Sequence, residues 1–514
     1  MSALPAQVAD PFADAREQFA NMERYLTGEA MKMTESELER EVQKQGEELL
    51  RKLLQAHLDI RGPGQAAGPV KGSDGIVREQ DRHIHERGLE TIFGEVTVTR
   101  APYSAEGTHS LHPLDADLNL PQELYSHEVR RRVAMQAAED SFDSVIEVLS
   151  DYTAAEVGKR QVEELAIRAA QDFDTFYQET GAWTSREAMS EILVLTVDAK
   201  GVVMRKSALR EYTRSRSERT KHKLASRLSP GEKRNKKRMA TVAAVYTIAP
   251  YARTPEDVVR TLAPYHERDR PARPRPEFKR VWASLEKSPE EVVKQAIREG
   301  QSRDPEGKKK WVVLVDGQPI QLRMLRKLFR RYGVCPLIVV DFIHVAEYMW
   351  KAGIAFHGEG NKELDLWVAK HLLAVLQGCP GHVAAGLRRS ARRLNLDRAA
   401  RKSVDKCSAY LLKLAPYLHY NRYLAQGFPI ATGVIEGACR YLIKDRMDIT
   451  GARWGLISAE AVLRLRALKT NGDFDEYWQF HERQEFLRNH ASRYADGKVV
   501  PIRGPKRRSL RRIK

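Results

Sequence analysis

Three short apolar runs in this 514-residue chain each end on an aspartate: EILVLTVD (Glu191 to Asp198), WVVLVD (Trp311 to Asp316) and PLIVVD (Pro336 to Asp341). Near-continuous Val, Ile and Leu is how a strand buried on both faces reads. A carboxylate closing such a strand sits in the crevice beyond the sheet edge, where open α/β sheets place their ligands. Gathering several there is unfavourable, because like charges repel, unless divalent cations neutralise them. Two metal ions roughly 3.5 to 4 Å apart then clamp the attacking and leaving oxygens of a phosphoryl displacement. The plain alternative is that Asp ends strands as a turn residue or caps the next helix, and Asp316-Gly317 reads as an ordinary turn. For any one aspartate that alternative is equally good; the threefold repetition tilts the reading toward a metal site.

A fourth acid stands in TGVIEGACRYLIKDRMDITGARW (Thr432 to Trp454). Ile435, Cys439 and Leu442 make an apolar stripe, while Glu436, Arg440 and Lys444 recur every four residues on another face. Read blandly, Glu436 and Arg440 form an exposed pair contributing about 0.3 to 0.5 kcal/mol. Read functionally, Glu436 faces a metal and the bases face phosphates. Asp316 and Asp341 both close a buried strand, so the pattern alone leaves open which is the second metal ligand. His344, one turn into the helix after Asp341, either touches a reacting phosphate or orients a carboxylate, or is a packed helical histidine.

These acids need a sheet to position them, and ATVAAVYTIAP (Ala240 to Pro250) supplies a fourth strand between the first two runs. The class implied is an α/β core with a mixed, partly parallel sheet flanked by helices. Upstream, Thr34 and Glu37 form a capping box before Leu38, Val42, Leu49 and Leu53, predicting an amphipathic helix to about Ile60. The Gly- and Pro-rich stretch Arg61 to Pro69 ends it. LETIFGEVTVTRAPY (Leu89 to Tyr103) alternates around Gly94 as a β-hairpin does. Helices are predicted from His127 to Leu149 and from Thr153 to Tyr177, linked by Ser150-Asp151-Tyr152 and compatible with a helix-turn-helix reader or with plain packing. From Ala346 to about Leu424 every signal is helical.

Lys and Arg number 86 against 69 Asp and Glu, a net charge of +17 with a pI near 9.6, which points to a polyanionic partner. Between Arg205 and Arg238 there are 14 Lys or Arg against three Glu, and His266 to Arg280 is basic and proline-rich. Both read as solvated insertions. The last 17 residues, Lys498 to Lys514, hold eight bases and no acid, as a nucleic-acid-binding tail would. No run approaches the ~20 apolar residues of a spanning helix and no signal peptide is evident, so no membrane partner and a cytoplasmic, nucleoid-associated location are expected. Cys335, Cys379, Cys407 and Cys439 form no CxxC pair, so reduced thiols are expected. His83 and His85 read as surface or nucleic-acid-facing side chains rather than metal ligands.

With those residues in hand, the chain resembles the bacterial insertion-sequence DDE transposases, closest to the ISKra group and more distantly the Mutator-like superfamily. VDAKGVVMR (Val197 to Arg205), VDGQPIQ (Val315 to Gln321), the Asp341-x-x-His344 signature in VDFIHVAEYMWKA, and VIEGACRYLIKDRMDITGARW (Val434 to Trp454) carry the resemblance. FGEVTVTRAPY and PLDADLNLPQELYS (Pro113 to Ser126) add to it. It implies an RNase H-like core with catalytic Asp198, Asp316 and Glu436 holding two Mg²⁺ ions, for which Mn²⁺ substitutes, and it assigns Asp341 and His344 an auxiliary part. It also implies a helical insertion between the second Asp and the Glu.

The expected organisation is a helical segment over 1–62, a hairpin and loop region over 78–125, helices over 126–185, and a core over 190–345 and 430–472. Basic insertions at 205–238 and 264–308 interrupt that core, an all-helical insertion fills 346–429, and a C-terminal helix with a basic tail spans 473–514. The expected activity is cleavage at element ends followed by strand transfer. The partners would be double-stranded DNA, as terminal inverted repeats and target, and further copies of the chain in a homodimer or larger synaptic complex. Arg205, Lys236, Lys237, Arg238, Arg440, Lys444 and Arg446 are the candidate phosphate contacts. The competing readings are a catalytically silent or domesticated DNA-binding protein, and an RNase H-like nuclease or resolvase that cuts without joining.

Overall fold

The computed structural model describes residues 10–180, 189–219, 232, 234–260, 273–449 and 451–503. The chain divides into two units, Met1–Phe176 with Gly472–Lys514, and Tyr177–Asn471.

In the first unit, helix Glu35–Arg61 starts at Thr34, whose N–H and hydroxyl both donate to Glu37 Oε2 at 2.9 and 2.8 Å. It ends at Gly62, whose φ of 67° suits glycine. Two short strands, β1 (Val70–Lys71) and β2 (Val77–Gln80), precede the hairpin β3 (His85–Thr91) and β4 (Gly94–Arg100), closed by the two-residue loop Ile92-Phe93. Strand β5 (Tyr103–Ser104) joins β2 and β1 in a separate small sheet. The long helix does not meet the hairpin through the predicted stripe, since Val42 and Leu53 are each 38% exposed. Leu54 and Leu58 pack on the hairpin core of Leu89, Val96 and Val98. Between them Gln55 satisfies the free edge of β4, donating to the Thr97 carbonyl at 2.9 Å and accepting its N–H at 2.8 Å.

The helices that follow are shorter and more numerous than predicted: His127–Glu139, Phe142–Tyr152, Lys159–Ala169 and Phe173–Glu179. Ser141 breaks the first predicted span by accepting the Ser144 N–H at 3.1 Å as a new N-cap. Ser150 to Tyr152, predicted as a link, is the last turn of a helix. The chain leaves it at Thr153, whose hydroxyl donates to the Leu149 carbonyl.

The second unit holds a five-stranded sheet: β6 (Ile192–Val203), β7 (Lys237–Ile248), β8 (Glu277–Ser284), β9 (Lys310–Val315) and β10 (Leu337–Val340), in spatial order β10-β9-β6-β7-β8. β6, β7 and β8 run antiparallel in succession, and β9 and β10 run parallel to β6. It is a mixed sheet flanked by helices. Helices Pro289–Arg303 and Pro319–Arg331 make the crossovers to β9 and β10.

Two expectations change here. The predicted 264–308 insertion is not a solvated segment where the structure describes it. It contains β8 and a helix, and Arg280 and Arg303 are buried in ion pairs with Glu299. The basic span 205–238 likewise contributes helix Glu211–Glu218 and the start of β7. Its residues 220–231 and 233 lie outside the described residues, as do 261–272 and the tail from 504. The run after β10 is helical as predicted, through Phe342–His357, Lys362–Leu376, Pro380–Arg393, Arg398–Leu414 and Tyr420–Ala425. Among the described residues no helix is long and apolar enough to cross a membrane, and the four cysteines are free thiols.

Candidate metal centre

Strand register decides where the acids meet. Thr196 pairs with Leu314, and Val315 pairs with Val340. Stepping forward along these parallel strands puts Asp198, Asp316 and Asp341 at one level on three adjacent strands. Asp198 does not end its strand, contrary to the sequence reading. β6 continues to Val203 because β7 keeps pairing with it as far as Lys237, while its pairing with β9 stops at Thr196. Asp198 therefore sits where β6 loses its parallel neighbour, and Gln321 fills that gap by donating to the Val197 carbonyl at 2.9 Å.

The three aspartates differ in what surrounds them. Asp341 is fully buried and is the N-cap of helix Phe342–His357, accepting the Ile343 N–H at 2.9 Å. Its other partner is Thr432, which gives both its hydroxyl and, at 3.4 Å, its N–H. Burial pushes the Asp341 carboxyl above the usual carboxylate range, against these hydrogen bonds. Asp316 leaves its side chain 25% exposed and lies 3.0 Å from His344 Nε2. Its backbone carbonyl takes the Tyr410 hydroxyl at 3.0 Å, and Tyr410 stacks on Tyr348. Asp198 accepts the Cys439 thiol on Oδ2 at 3.2 Å.

His344 is held protonated. Its hydrogen bond to Asp316 outweighs partial burial, and with the Asp341 and Glu347 carboxylates it lifts the imidazole to about 9. A cation's pKa raised on folding means the pair stabilises fully below the unfolded value near 6.5 and fades as pH rises through 9. The unfolding free energy of His344→Gln, measured by urea denaturation in EDTA, should fall short of the parent at pH 6.5, and the gap should close by pH 9.5. An unchanging gap would remove the ion pair from the account.

Glu436 lies on helix Gly433–Ala438, which continues into a π-helical turn at Cys439–Lys444. Such turns recur at functional sites. Its carboxyl is raised by partial burial first, then by Asp341 and Asp316, with His344 opposing. Glu436 thus shares one electrostatic site with both aspartates. Cys439, one turn on, feels both Asp198 and Asp316 and is held well above the ordinary thiol range by burial and these carboxylates.

Donor atoms of Asp316, Asp341 and His344 lie within 4.8 Å of one another, a spacing that suits a cation. The acids at this edge suit a divalent metal: Asp316 and Asp341 lie at ligand spacing, and the Glu436 carboxyl is raised by burial and then by both of them, although neither Asp198 nor Glu436 belongs to the group at that spacing. Asp341 is the least available of them, because Thr432 and Ile343 already occupy both its oxygens. Asp198 also has both oxygens engaged, by the Ala199 N–H at 2.6 Å and the Cys439 thiol, but unlike Asp341 it is only half-buried; with half-buried Asp316 and exposed Glu436 it would hold the ions.

The expected basic row is only partly assembled. Arg440 and Lys444 are exposed, and Arg440 meets Asp445 at 3.6 Å, five residues on as the π turn allows, rather than Glu436. Arg446, expected separately as a phosphate contact, is instead 3% exposed with its guanidinium 4.9 Å from the Trp454 ring centre. Trp454 is fixed beside the end of β6, its N–H donating to the Val203 carbonyl and its own carbonyl accepting from Arg205. Arg238 is also turned inward, donating to the Leu285 and Ala208 carbonyls at 2.8 and 3.2 Å. Arg205 is exposed, and Lys236 and Lys237 are half-buried.

The sequence reading missed Cys439, Thr432, Gln321 and Tyr410 as supports of the acids. Gly317 was legible as a turn but not as a constraint. Its φ is +83°, and a Cβ there would stand 2.5 Å from Leu414 Cδ1. Gly317→Ala should lower stability by about 1 to 3 kcal/mol, read as a lower urea midpoint at unchanged slope. A midpoint equal to the parent's would show that the turn relaxes freely.

No protein-family model matches the chain, and no curated protein matches it.

Proposed function

We propose that the chain is a metal-dependent DNA transposase with an RNase H-like core, in which Asp198, Asp316 and Glu436 form the catalytic acid set. The observation that carries this reading is the convergence of the three strand-borne aspartates at one level of the sheet with Glu436 beside them, in a chain of net charge +17. The strand order and senses, antiparallel β8-β7-β6 followed by parallel β9 and β10, support the RNase H-like assignment.

Two Mg²⁺ ions at this edge would supply activation of water or a 3′-hydroxyl and stabilisation of the leaving oxygen. The chain's own groups prepare the site. Asp341 caps the helix that carries His344 and so fixes where that helix begins. His344 fixes the Asp316 carboxylate, and the Cys439 thiol holds that of Asp198. Exposed Arg205, Arg440 and Lys444 are placed to contact phosphates, which position DNA without reading its sequence.

The test uses the full chain with Mg²⁺ and DNA carrying the sequences that flank its gene. Metal-dependent nicking followed by joining of the new 3′ end to a second DNA is the expected result. Nicking without joining reduces the function to a nuclease or resolvase. DNA binding with no metal-dependent cleavage leaves a silent DNA-binding protein and overturns the proposal.

A further inference from the structure

The first unit contains a cavity of about 440 Å³ that the acidic site does not account for. Hairpin strands β3 and β4, the segment around His109 to Pro121 and the C-terminal stretch Asn489 to Tyr494 enclose it. Arg87, Arg100 and Arg493 line it together with His85, His112 and His490, and Asp115 is the carboxylate among its lining residues. Three guanidinium groups thus face one carboxylate. That carboxylate is already engaged, with Asp115 Oδ2 2.6 Å from Arg100 NH1 and both side chains about 15% exposed. Arg87 donates to the carbonyls of Pro121 and Glu123, and Arg493 to that of Ser110 at 3.2 Å. Carbonyl acceptors satisfy hydrogen bonds but leave the charge standing.

His112 and His490 add donors and acceptors, and their surroundings disfavour a charge on either. His85 Nδ1 and His112 Nε2 are 3.2 Å apart, and His490 Nε2 lies 2.9 Å from the Leu120 carbonyl. Burial, followed by the Arg100 charge, depresses His112 to about 4, and burial with Arg493 and Arg87 also lowers His490. The cations here press on one another, which is the condition an anion relieves. Two polar atoms at the Arg100–Asp115 pair add chemical detail. Arg100 Nε and Asp115 Oδ1 are buried with no hydrogen-bond partner. A ligand that satisfies both must offer an acceptor oxygen to the guanidinium and a hydroxyl to the carboxylate. A phosphate monoester has both near neutral pH, where one acidic proton remains on part of the population. A backbone phosphodiester has only the acceptors. Four histidines and Asp115 line the cavity without gathering to metal-ligand spacing; among the described residues the cluster at that spacing is the one at Asp316.

We infer that this cavity is a binding site for a terminal phosphate group, carried by the 5′ end of a nucleic-acid strand or by a small phosphorylated solute. Arg100, Arg493 and Arg87 supply the charge, and Asp115 selects monoester over diester.

Thermal unfolding of the full chain at constant ionic strength tests it. Methyl phosphate should raise the midpoint with increasing concentration, as any ligand of the native state does. Dimethyl phosphate at equal ionic strength should not. Arg493→Gln, on an exposed residue, should remove most of the shift, and Arg100→Gln all of it where that variant folds. Arg160→Gln, an exposed arginine elsewhere in the unit, should retain it. A 5′-phosphorylated oligonucleotide binding about tenfold more tightly than its 5′-hydroxyl twin, with the difference gone in Arg493→Gln, identifies a strand end as the source. A mononucleotide that binds as well as the oligonucleotide supports the site with a small solute as its ligand. Equal shifts from both methyl esters, no shift beyond the chloride control, or a shift undiminished in Arg493→Gln would overturn the assignment.

Discussion

Asp198→Asn is expected to keep the fold and DNA retention while cutting metal-dependent strand cleavage by about 10³-fold, roughly 4 kcal/mol of transition-state stabilisation. Asp198 stands in the interior of β6, paired through the backbone with Val242, so the strand does not depend on its carboxylate. The amide still accepts the Cys439 thiol on its oxygen. What it loses is the negative charge a divalent cation requires. Single-turnover cleavage read beside filter binding separates the two effects, and cleavage within tenfold of the parent would remove Asp198 from the catalytic set. Glu436→Gln should lose cleavage to a similar degree with an opposite signature in stability. The Glu436 carboxyl is raised in the folded protein, so the cost of burying its charge, with its repulsion from Asp341 and Asp316, is absent below the unfolded value and present above the folded one. Removing that charge should raise the urea midpoint in EDTA at pH 8 relative to pH 4. A function-critical residue that destabilises its own fold marks a site built for a ligand.

The parts of this site that are legible in sequence are those whose cause is local. β6, β9 and β10 show themselves as unbroken apolar runs because both faces are covered, and Thr34 and Glu37 announce a helix start three residues apart. β8 does not, since EFKRVWAS begins with charges and follows prolines, and the group that buries Arg280 is Glu299 on a later helix. The break at Ser141 depends on a single cap inside an otherwise helical pattern. The common level of Asp198, Asp316 and Asp341 is a property of register, which pairing across the sheet fixes and no single segment contains. Thr432 donating to Asp341 and Cys439 to Asp198 span 91 and 241 positions, beyond the reach of periodicity. The resemblance to a transposase family named the acids; it gave no reason for the different burial of Asp316 and Asp341.

That difference produces the second large effect. Asp341→Ala should cost about 2 to 4 kcal/mol of stability, because it removes an N-cap and leaves the buried Thr432 hydroxyl and the Ile343 N–H without their acceptor. Measured at pH 9.5, where the His344 pair has faded, Asp316→Ala should change stability far less, since its side chain is a quarter exposed and loses mainly that contact, yet it should abolish cleavage. Alanine at both positions would therefore inactivate the protein for different reasons, and activity alone would not tell them apart. Asparagine does. At position 341 the amide oxygen still caps the helix at Ile343, and the amide nitrogen can donate to Thr432 Oγ1, so Asp341→Asn preserves both buried contacts while removing the charge. Cleavage within about tenfold of the parent for Asp341→Asn, beside a loss near 10³-fold for Asp316→Asn, makes Asp316 the metal ligand and Asp341 the group that positions it through His344. A loss as deep in Asp341→Asn, with an unchanged urea midpoint, would transfer the ligand role to Asp341. The buried carboxylate would then have to exchange Thr432 for the cation when metal binds.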